Sequence, residues 1–420
     1  MKILFAFENP LPSAEADAEV FVSTARHLAG LAGECWLHVP VTGPANHRAV
    51  AALAGMTVIA ARAPRRPAVL RHFLCGLTLP WRKEFRQADL VYTRNLWVAW
   101  MAILAGQRVV FDHYRPWPEQ VPPLQLWLYH LFCHPRFLTA ICHSAYTLRK
   151  YQELGIPSDK LVCIHNGFEP ARFAGHPAAE DARRQLGIDP GRKTVVYTGR
   201  INHKKGLGLV VEAARRLPGI QFLLVGSYGE GPIEKLARGI ANIRVVPFQP
   251  AKTLMQYIAA ADLLLIPPSL KPLAEFGSTV LPLKLFLYLA AGRPILAGNT
   301  PDVREVLRHG RNAFLCRPDD VAALAAGIET VTGDDALAGR LAAAAEKDSR
   351  DFTWPVRAGR IAALVSEKLS AAPAPKGFWN RTQSAAWIRQ SRRWLVHLIR
   401  TRSVILPQGT LLPAPSAPQP

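Results

Sequence analysis

The chain has 420 residues, of which 49% are hydrophobic and 20% are charged. This length and composition predict real hydrophobic cores and room for two ordinary domains, which argues against a small or wholly disordered protein. The formal net charge of +20, from 51 basic and 31 acidic residues, indicates an anionic partner: a membrane surface, a nucleic acid or a phosphorylated ligand.

The six cysteines are scattered, and no two have the C-x-x-C spacing of a zinc or redox motif. We therefore expect no metal site, and we expect core thiols in a reducing compartment. The sequence contains no recognisable signal peptide and no apolar run of the ~18 residues that a membrane helix needs. Together these features predict a cytoplasmic protein.

In the first half, apolar strands alternate with helices, which predicts a parallel, doubly wound sheet. Ser13 is the expected N-cap of the first helix, over residues 14–30. His113 follows the fifth strand, and ligands of open α/β sheets bind outside the carboxyl ends of strands. It is therefore a candidate functional residue, although a lone histidine is more often a core or surface residue. The strands are expected at residues 2–8, 35–40, 57–60, 89–93, 108–111 and 138–144.

Residues 64–86 combine basic and aromatic side chains. Two interpretations remain open for this segment. It can form an ordinary solvated helical face, or a face that meets anionic lipid, since basic and aromatic side chains together suit a membrane interface.

The segment 174–193 is rich in proline, glycine and charge, which predicts a hinge between two domains. The strand–helix pattern then restarts with a strand over residues 194–198. Gly199-Arg200 and Lys205-Gly206 follow that strand, and a later strand ends at Gly226. An arginine fork and a lysine point charge beside glycines suit a diphosphate, although basic turns are common.

Residues 275–297 predict a loop, a helix and a buried strand. Ser278 and Thr279 lie in a polar entry, Pro282 suits the first helical turn, and Leu283 begins an apolar helical repeat. The unpaired N–H groups of such a helix start favour an anion. An ordinary loop–helix–strand unit of an α/β sheet explains the same pattern.

The tail begins with a Pro/Ala linker, continues as a basic amphipathic segment over residues 376–402, and ends in a stretch whose composition predicts disorder. Tryptophan and arginine on one helix are typical of an in-plane membrane anchor. A helix packed on the protein body is the alternative, and a calmodulin-target or nucleic-acid helix is less favoured.

Several segments resemble motifs of the GT-B glycosyltransferases of family 4, also known as glycosyl transferases group 1. The resemblance covers residues 139–369 and is most specific in the second half. YTGRINHKKG resembles the family's G-R-x4-K-G element, and HNGFEPARF resembles its N-G-h-[DE]-x3-F element. FLLVGSYGEG, YIAAADLLLIPPS and PLKLFLYLAAGRPILAG resemble its second glycine loop, its Y-x3-AD run and its P-h-K-h-h-E-Y run.

The resemblance implies two Rossmann-like domains facing a central cleft, with a C-terminal amphipathic extension. The implied domains are residues 1–173 for the acceptor, a hinge at 174–193, residues 194–354 for the nucleotide sugar, a final helix at 355–370 that returns to the first domain, and a tail at 371–420. It implies a retaining, metal-independent hexosyl transfer with no cofactor.

The implied roles fall into two groups. Arg200 and Lys205 would hold the donor diphosphate, and His113, or Tyr114 if the register differs by one, would contact the donor sugar. The implied catalytic residues are His113, Arg200, Lys205 and Glu275. The implied donor-binding residues are Gly199, Arg200, Lys205, Gly226, Ser278, Thr279, Leu283, Lys284 and Leu287.

Two departures from the family pattern concern the donor site and the first loop. Leu287 stands where the family has a ribose-binding glutamate, and Thr279 stands at its partner glutamate, although Glu275 could compensate. Residues 13–17 replace the frequent glycine pair of the first loop. We therefore expect a transferase acting on a cell-envelope, lipid-linked or polysaccharide acceptor, peripheral to the inner membrane and not bound to nucleic acid. The alternative is a degenerate GT-B protein that binds glycan or protein partners without transfer.

Overall fold

A computed structural model describes residues 1–372 of the chain, apart from 14, 62–63, 65–66, 114–124, 176 and 271–280. The chain divides into two compact units. The first comprises Met1–His165 together with residues 354–372, and the second comprises Asn166–Thr353. The basic tail predicted at 376–402 lies outside the described residues.

The first unit contains a seven-stranded parallel sheet whose strands are buried almost throughout, as expected when helices cover both faces. Its order is β3-β2-β1-β4-β5-β6-β7. The chain therefore changes winding direction between β1 and β4. The strands are β1 Ile3–Ala6, β2 Cys35–Pro40, β3 Thr57–Ala61, β4 Leu90–Thr93, β5 Val109–His113, β6 Phe137–Cys142 and β7 Leu161–Cys163.

The helices of this unit pack closely where small residues permit it. A Cβ on Gly76 would lie 2.8 Å from the backbone carbonyl of Trp97, so glycine lets α3 approach α5. The prediction that Ser13 is the N-cap of α1 is wrong: the N-cap is Glu15, and its side chain makes no capping hydrogen bond. The helices are α1 Ala16–Ala29, α2 Pro44–Ala54, α3 Ala68–Thr78, α4 Lys83–Gln87, α5 Leu96–Leu104, α6 Gln125–Phe132 and α7 Ala145–Glu153.

The second unit contains a six-stranded parallel sheet in the order β10-β9-β8-β11-β12-β13, which changes direction between β8 and β11. Its strands are β8 Thr194–Thr198, β9 Gln221–Ser227, β10 Ile243–Pro247, β11 Leu263–Leu265, β12 Ile295–Gly298 and β13 Phe314–Cys316. Its helices are α8 Ala179–Leu186, α9 Leu207–Arg216, α10 Pro232–Ala237, α11 Ala251–Ala259, α12 Leu283–Leu289, α13 Val321–Gly333 and α14 Asp335–Ser349.

The segment predicted as a hinge includes a packed helix of the second unit. Ala182 on α8 is fully buried in that unit's core. Arg183 forms a 2.6 Å salt bridge with Asp262 and donates to the backbone carbonyl of Ala260. The polar composition that suggested a hinge therefore reflects surface charge on a helix with one buried face.

The last described helix is α15, Trp354–Ala371, and it belongs to the first unit. Ile361 and Val365 bury their side chains in the same cluster as Phe21 of α1. All six cysteines are free thiols. Within the described ranges, every helix is too short or too polar to cross a membrane.

Candidate functional site

Two glycine turns meet at the carboxyl edge of the second sheet. Gly199 follows β8 with φ +123°, and Gly226, the next-to-last residue of β9, has φ +124°. A Cβ on Gly226 would lie 2.4 Å from the backbone oxygen of Gly199. Only glycine can adopt these backbone angles in so close a contact, so both predicted residues have a structural reason for their identity.

Lys284 reaches this edge from the first turn of α12. Its Nζ atom lies 3.6 Å from the ring centroid of Tyr197, and a Cβ on Gly199 would lie 2.9 Å from the same nitrogen. The ring face and the absent side chain at Gly199 therefore define where the ammonium group sits. The structure thus brings Lys284 and Gly199 together.

Three cations lie near one another at this edge, on Arg200, Lys205 and Lys284. Burial lowers the pKa of Lys284 well below its usual value, and the charge of Lys205 lowers it further. Partial shielding from water, and then the charge of Arg200, lower the pKa of Lys205. In the described part of the chain, neither lysine forms a salt bridge with a carboxylate. Mutual repulsion of this kind is relieved by an anion.

An exposed aromatic pair adjoins these cations. The guanidinium carbon of Arg200 lies 5.2 Å from the ring centroid of Tyr228. The Tyr228 and Phe248 rings are 5.2 Å apart and inclined by 32°, and the two residues are 60% and 49% exposed. Large aromatic side chains are seldom left this open to water, so the pair offers a surface for a flat ligand group.

Two tyrosine hydroxyls hold the turn that carries Arg200. The Thr198 N–H donates to the Tyr288 hydroxyl at 2.8 Å, and the Tyr197 hydroxyl donates to the Arg200 carbonyl oxygen at 3.1 Å. Burial raises the pKa of Tyr288 to about 12, so this hydroxyl stays neutral. Neither tyrosine is predictable as a site residue from the sequence, because apolar periodicity assigns both only to the core.

The remaining predicted site residues of the second unit either have apolar side chains or fall outside the residues that the structure describes. Leu287 is 7% exposed and packs in the core cluster that contains Phe168, so it offers no polar atom to a ligand. Leu283 begins α12 directly after Pro282, which has no side-chain capping bond. Glu275, Ser278 and Thr279 fall in residues 271–280, outside the described chain.

His113 is the last residue of β5 rather than a residue beyond it. It is 4% exposed, and its ring stacks on Phe111 with centroids 5.2 Å apart. The preceding residue, Asp112, receives two hydrogen bonds from Arg357 Nη2, at 2.8 and 2.9 Å. His113 therefore occupies a rigid, buried edge of the first sheet. Tyr114, the alternative at this register, is outside the described residues.

The buried carboxylate of Asp112 has three side-chain partners, Tyr92, His143 and Arg357. The Tyr92 hydroxyl donates to Oδ2 at 2.5 Å, and His143 Nε2 lies 2.5 Å from Oδ1. Burial alone would raise the pKa of Asp112, but Arg357, His143 and these hydrogen bonds hold it below its usual value. Arg357 comes from α15, so this cluster ties the last helix to the sheet.

Comparisons with known proteins bear on both halves of the chain. The family model described as glycosyl transferases group 1 matches residues 178–348, and the model described as glycosyltransferase family 4 matches residues 18–172. The chain is 29% identical over 231 residues to a D-inositol 3-phosphate glycosyltransferase of Nocardia farcinica, covering 51% of this chain and 49% of that protein. It is 25% identical over 253 residues to the amylovoran biosynthesis glycosyltransferase AmsK of Erwinia amylovora, covering 58% and 56%.

The chain thus spans about half the length of the curated relatives it matches. Among solved structures, Anabaena HepE in complex with UDP and glucose superposes with a TM-score of 0.66 at 20% identity. That match covers 87% of this chain and 99% of the other. At this level of identity the likeness establishes a common fold, which is GT-B.

Proposed function

Because the chain belongs to the glycosyl transferases group 1 and has the GT-B fold, we propose that it transfers a sugar from a nucleoside-diphosphate sugar to an acceptor. The observation that carries the proposal is the trio of cations at the Gly199 turn, on Arg200, Lys205 and Lys284. The acceptor we propose is a cell-envelope, lipid-linked or polysaccharide glycan, in keeping with a relative named for amylovoran biosynthesis.

The cations suit the chemistry of a leaving diphosphate. When the bond between the sugar and the diphosphate breaks, negative charge builds on the phosphate oxygens, and positive groups fixed nearby stabilise that charge. Arg200 contributes a planar fork, and the two lysines contribute compact charges. In this proposed reaction, these side chains neutralise the diphosphate without a metal or a cofactor. The transferred sugar keeps its anomeric configuration.

The exposed pair of Tyr228 and Phe248 gives the nucleotide base a place to stack. A nucleoside diphosphate held by Arg200 would have its base within reach of these rings, since Arg200 already contacts Tyr228. Stacking on an aromatic face accepts any base, so it adds affinity without choosing between uridine and guanosine.

We also propose that the protein works at the surface of an anionic membrane, at the cytoplasmic face of a bacterial inner membrane. On the first unit, Val69, Leu70 and Trp81 are 71%, 43% and 62% exposed, and Lys83 and Arg86 lie on the adjacent α4. Apolar and basic side chains exposed in one segment favour an interface rich in anionic lipid. The test is co-sedimentation with vesicles containing phosphatidylglycerol. Binding should disappear when Trp81, Lys83 and Arg86 are replaced by Ser, Gln and Gln.

The donor proposal is tested by calorimetric titration of the full chain with UDP, GDP and their sugar conjugates, followed by mass detection of released sugar. Arg200→Ala and Lys205→Ala should each weaken nucleotide binding at least tenfold, because each removes a phosphate partner. Lys252→Ala, an exposed lysine of the same unit, is the matched control and should bind normally. Failure of every nucleotide to bind would refute the proposal.

Leu287 favours one alternative, a GT-B protein that binds a glycan or a protein partner without transfer. Its buried side chain cannot accept hydrogen bonds from a ribose. The same titration separates the two functions. Nucleotide binding with neither hydrolysis nor transfer, over a broad acceptor panel, would support the binding protein.

A further inference from the structure

A loop of the second unit packs directly against the turn that carries Lys205. Gly206 closes that turn with φ +70°, and a Cβ on Gly206 would lie 2.4 Å from the Cβ of Ser269, in the loop after β11. A Cβ on Gly298, at the end of β12, would lie 2.7 Å from the Cα of Pro268 in the same loop. Because both contacts leave no room for a side chain, the position of this loop sets the position of the Gly206 turn.

Asp319, which follows β13, binds this loop with three hydrogen bonds. The Ser269 hydroxyl donates to Asp319 Oδ1 at 2.7 Å, and the Leu270 N–H donates to Oδ2 at 3.1 Å. The Asp319 N–H donates to the backbone oxygen of Pro268 at 2.7 Å. A carboxylate can accept from both the hydroxyl and the N–H because it has two acceptor oxygens.

Asp319 has a backbone conformation that favours glycine. Its φ is +55°, and no other non-glycine residue within the described ranges has a positive φ. The next residue, Asp320, accepts a hydrogen bond from the Ala323 N–H at 2.9 Å at the start of α13, so the strained residue is attached to a capped helix. Glycine would be more stable at position 319 if only the backbone mattered. The strain therefore indicates that the side chain has a function.

The turn that carries Lys205 depends on outside support because its own hydrogen bonds are long. The Lys205 N–H donates to the Asn202 oxygen at 3.3 Å, and the Gly206 N–H donates to the His203 oxygen at 3.4 Å. Both distances exceed the usual range for N–H donors. Partial shielding from water and the charge of Arg200 lower the pKa of Lys205, so the neighbouring cation also disfavours this position of the lysine.

We propose that Asp319 is a positioning residue of the donor site, which holds Ser269 against Gly206 and thereby keeps Lys205 in place for a diphosphate. The inference rests on the proposed function, because Lys205 is one of the cations assigned to the diphosphate. It adds a residue that none of the sequence motifs contains.

The experiment titrates the full chain with UDP and with inorganic pyrophosphate in a calorimeter. Asp319→Gly should weaken both ligands by roughly tenfold, because the lysine turn loses its support. The two losses should be equal, since pyrophosphate contains only the group that Lys205 would bind. Asp319→Asn keeps one acceptor oxygen and should recover most of the affinity. Asp189→Gly is the matched control and should bind as the wild type does, because Asp189 accepts only a local hydrogen bond from the Gly191 N–H before β8.

A double variant and a stability measurement separate positioning from general support of the fold. Ser269→Ala should also weaken both ligands, and adding it to Asp319→Gly should cause little further loss, because its hydroxyl has then already lost its acceptor. In thermal unfolding followed by circular dichroism, the midpoint of Asp319→Gly should stay within about 3 °C of the wild type. The reason is that relief of the left-handed backbone offsets the loss of two exposed hydrogen bonds.

Three results would overturn the inference: wild-type binding by Asp319→Gly, fully additive losses in the double variant, or a loss of affinity accompanied by a large drop in the unfolding midpoint. Each of them leaves the proposed donor site intact as long as the wild type binds UDP. Failure of the wild type to bind either ligand refutes the proposed function, and the positioning role with it.

Discussion

Replacing Arg357 by methionine should destabilise the first unit by about 3–5 kcal/mol, the usual loss when one partner of a buried ion pair is removed. Arg357 and Asp112 have side chains only 2% exposed, so water cannot replace the lost bonds. The guanidinium also donates to the backbone oxygen of Ile164 at 3.0 Å and to Thr24 Oγ1 at 3.2 Å. The variant leaves the Asp112 carboxylate charged in the core, with only Tyr92 and His143 as hydrogen-bond partners.

The distribution of tryptophan provides the assay. No tryptophan occurs within residues 166–353 of the sequence, so the second unit contributes no tryptophan signal to urea unfolding. The tryptophans that the structure describes in the first unit are Trp36, Trp81, Trp97, Trp100, Trp127 and Trp354. The transition of Arg357→Met should move to lower urea, and the double variant with Asp112→Asn should recover part of the loss because no charge remains buried.

A matched control is available in the same unit. Lys2 and Glu34 form a 3.1 Å salt bridge with side chains 49% and 54% exposed, and solvent-exposed pairs contribute little. Lys2→Met should leave the tryptophan transition in place. A loss below about 1 kcal/mol for Arg357→Met would refute the reasoning, since it would mean that the cluster contributes no more than a surface pair.

Three further predictions concern a buried histidine and two parts of the proposed nucleotide site. His38 is fully buried with both ring nitrogens unpaired among the described residues, and burial lowers its pKa to about 4. In the unfolded chain, the His38 ring takes up a proton near pH 6.5. This residue should therefore lower the free energy of unfolding by about 3 kcal/mol as the pH falls from 6.5 to 4. When urea unfolding is measured across this pH range, His38→Leu should remove that decrease. Leu287→Glu should lose at least ~2 kcal/mol of stability without tighter UDP binding, because the side chain points into the core, whereas tighter binding would contradict the observed packing. Tyr228→Ala should weaken UDP and GDP several-fold but leave pyrophosphate affinity unchanged in calorimetry, and an equal loss for all three would rule out base stacking.

The fold was predictable because the strands carry strong local signals. Strands are predicted at residues 35–40 and 194–198, and β2 and β8 have those bounds, since short apolar runs are typical of buried parallel strands. Alternating strands and helices also predicted two doubly wound sheets. The segment predicted as a hinge contains α8, and composition alone does not distinguish a linker from an amphipathic helix whose buried face is as small as Ala182.

Only those residues of the candidate site that lie close together in the sequence could be predicted. Gly199, Arg200 and Lys205 lie within a single short segment, so their spacing indicated an anion site. The contact of Lys284 with Tyr197 joins residues far apart in the chain, and it depends on how α12 packs against β8. The exposure of Tyr228 and the hydrogen bond between Asp319 and Ser269 likewise depend on packing, which periodicity does not report.

The helix α12 contains both a lysine of the proposed diphosphate site and the leucine that stands where the family pattern has a glutamate. Lys284 is on the first turn of α12, and its side chain ends beside Gly199. Leu287 is about one helical turn later, and its side chain packs in the core. A polar group at 287 would therefore need a different local packing, and a single substitution cannot supply it. If the proposed donor site is correct, its affinity must come from the cations on one side and from the aromatic pair on the other. The diphosphate and the base would then fix the nucleotide, and the ribose would contribute little.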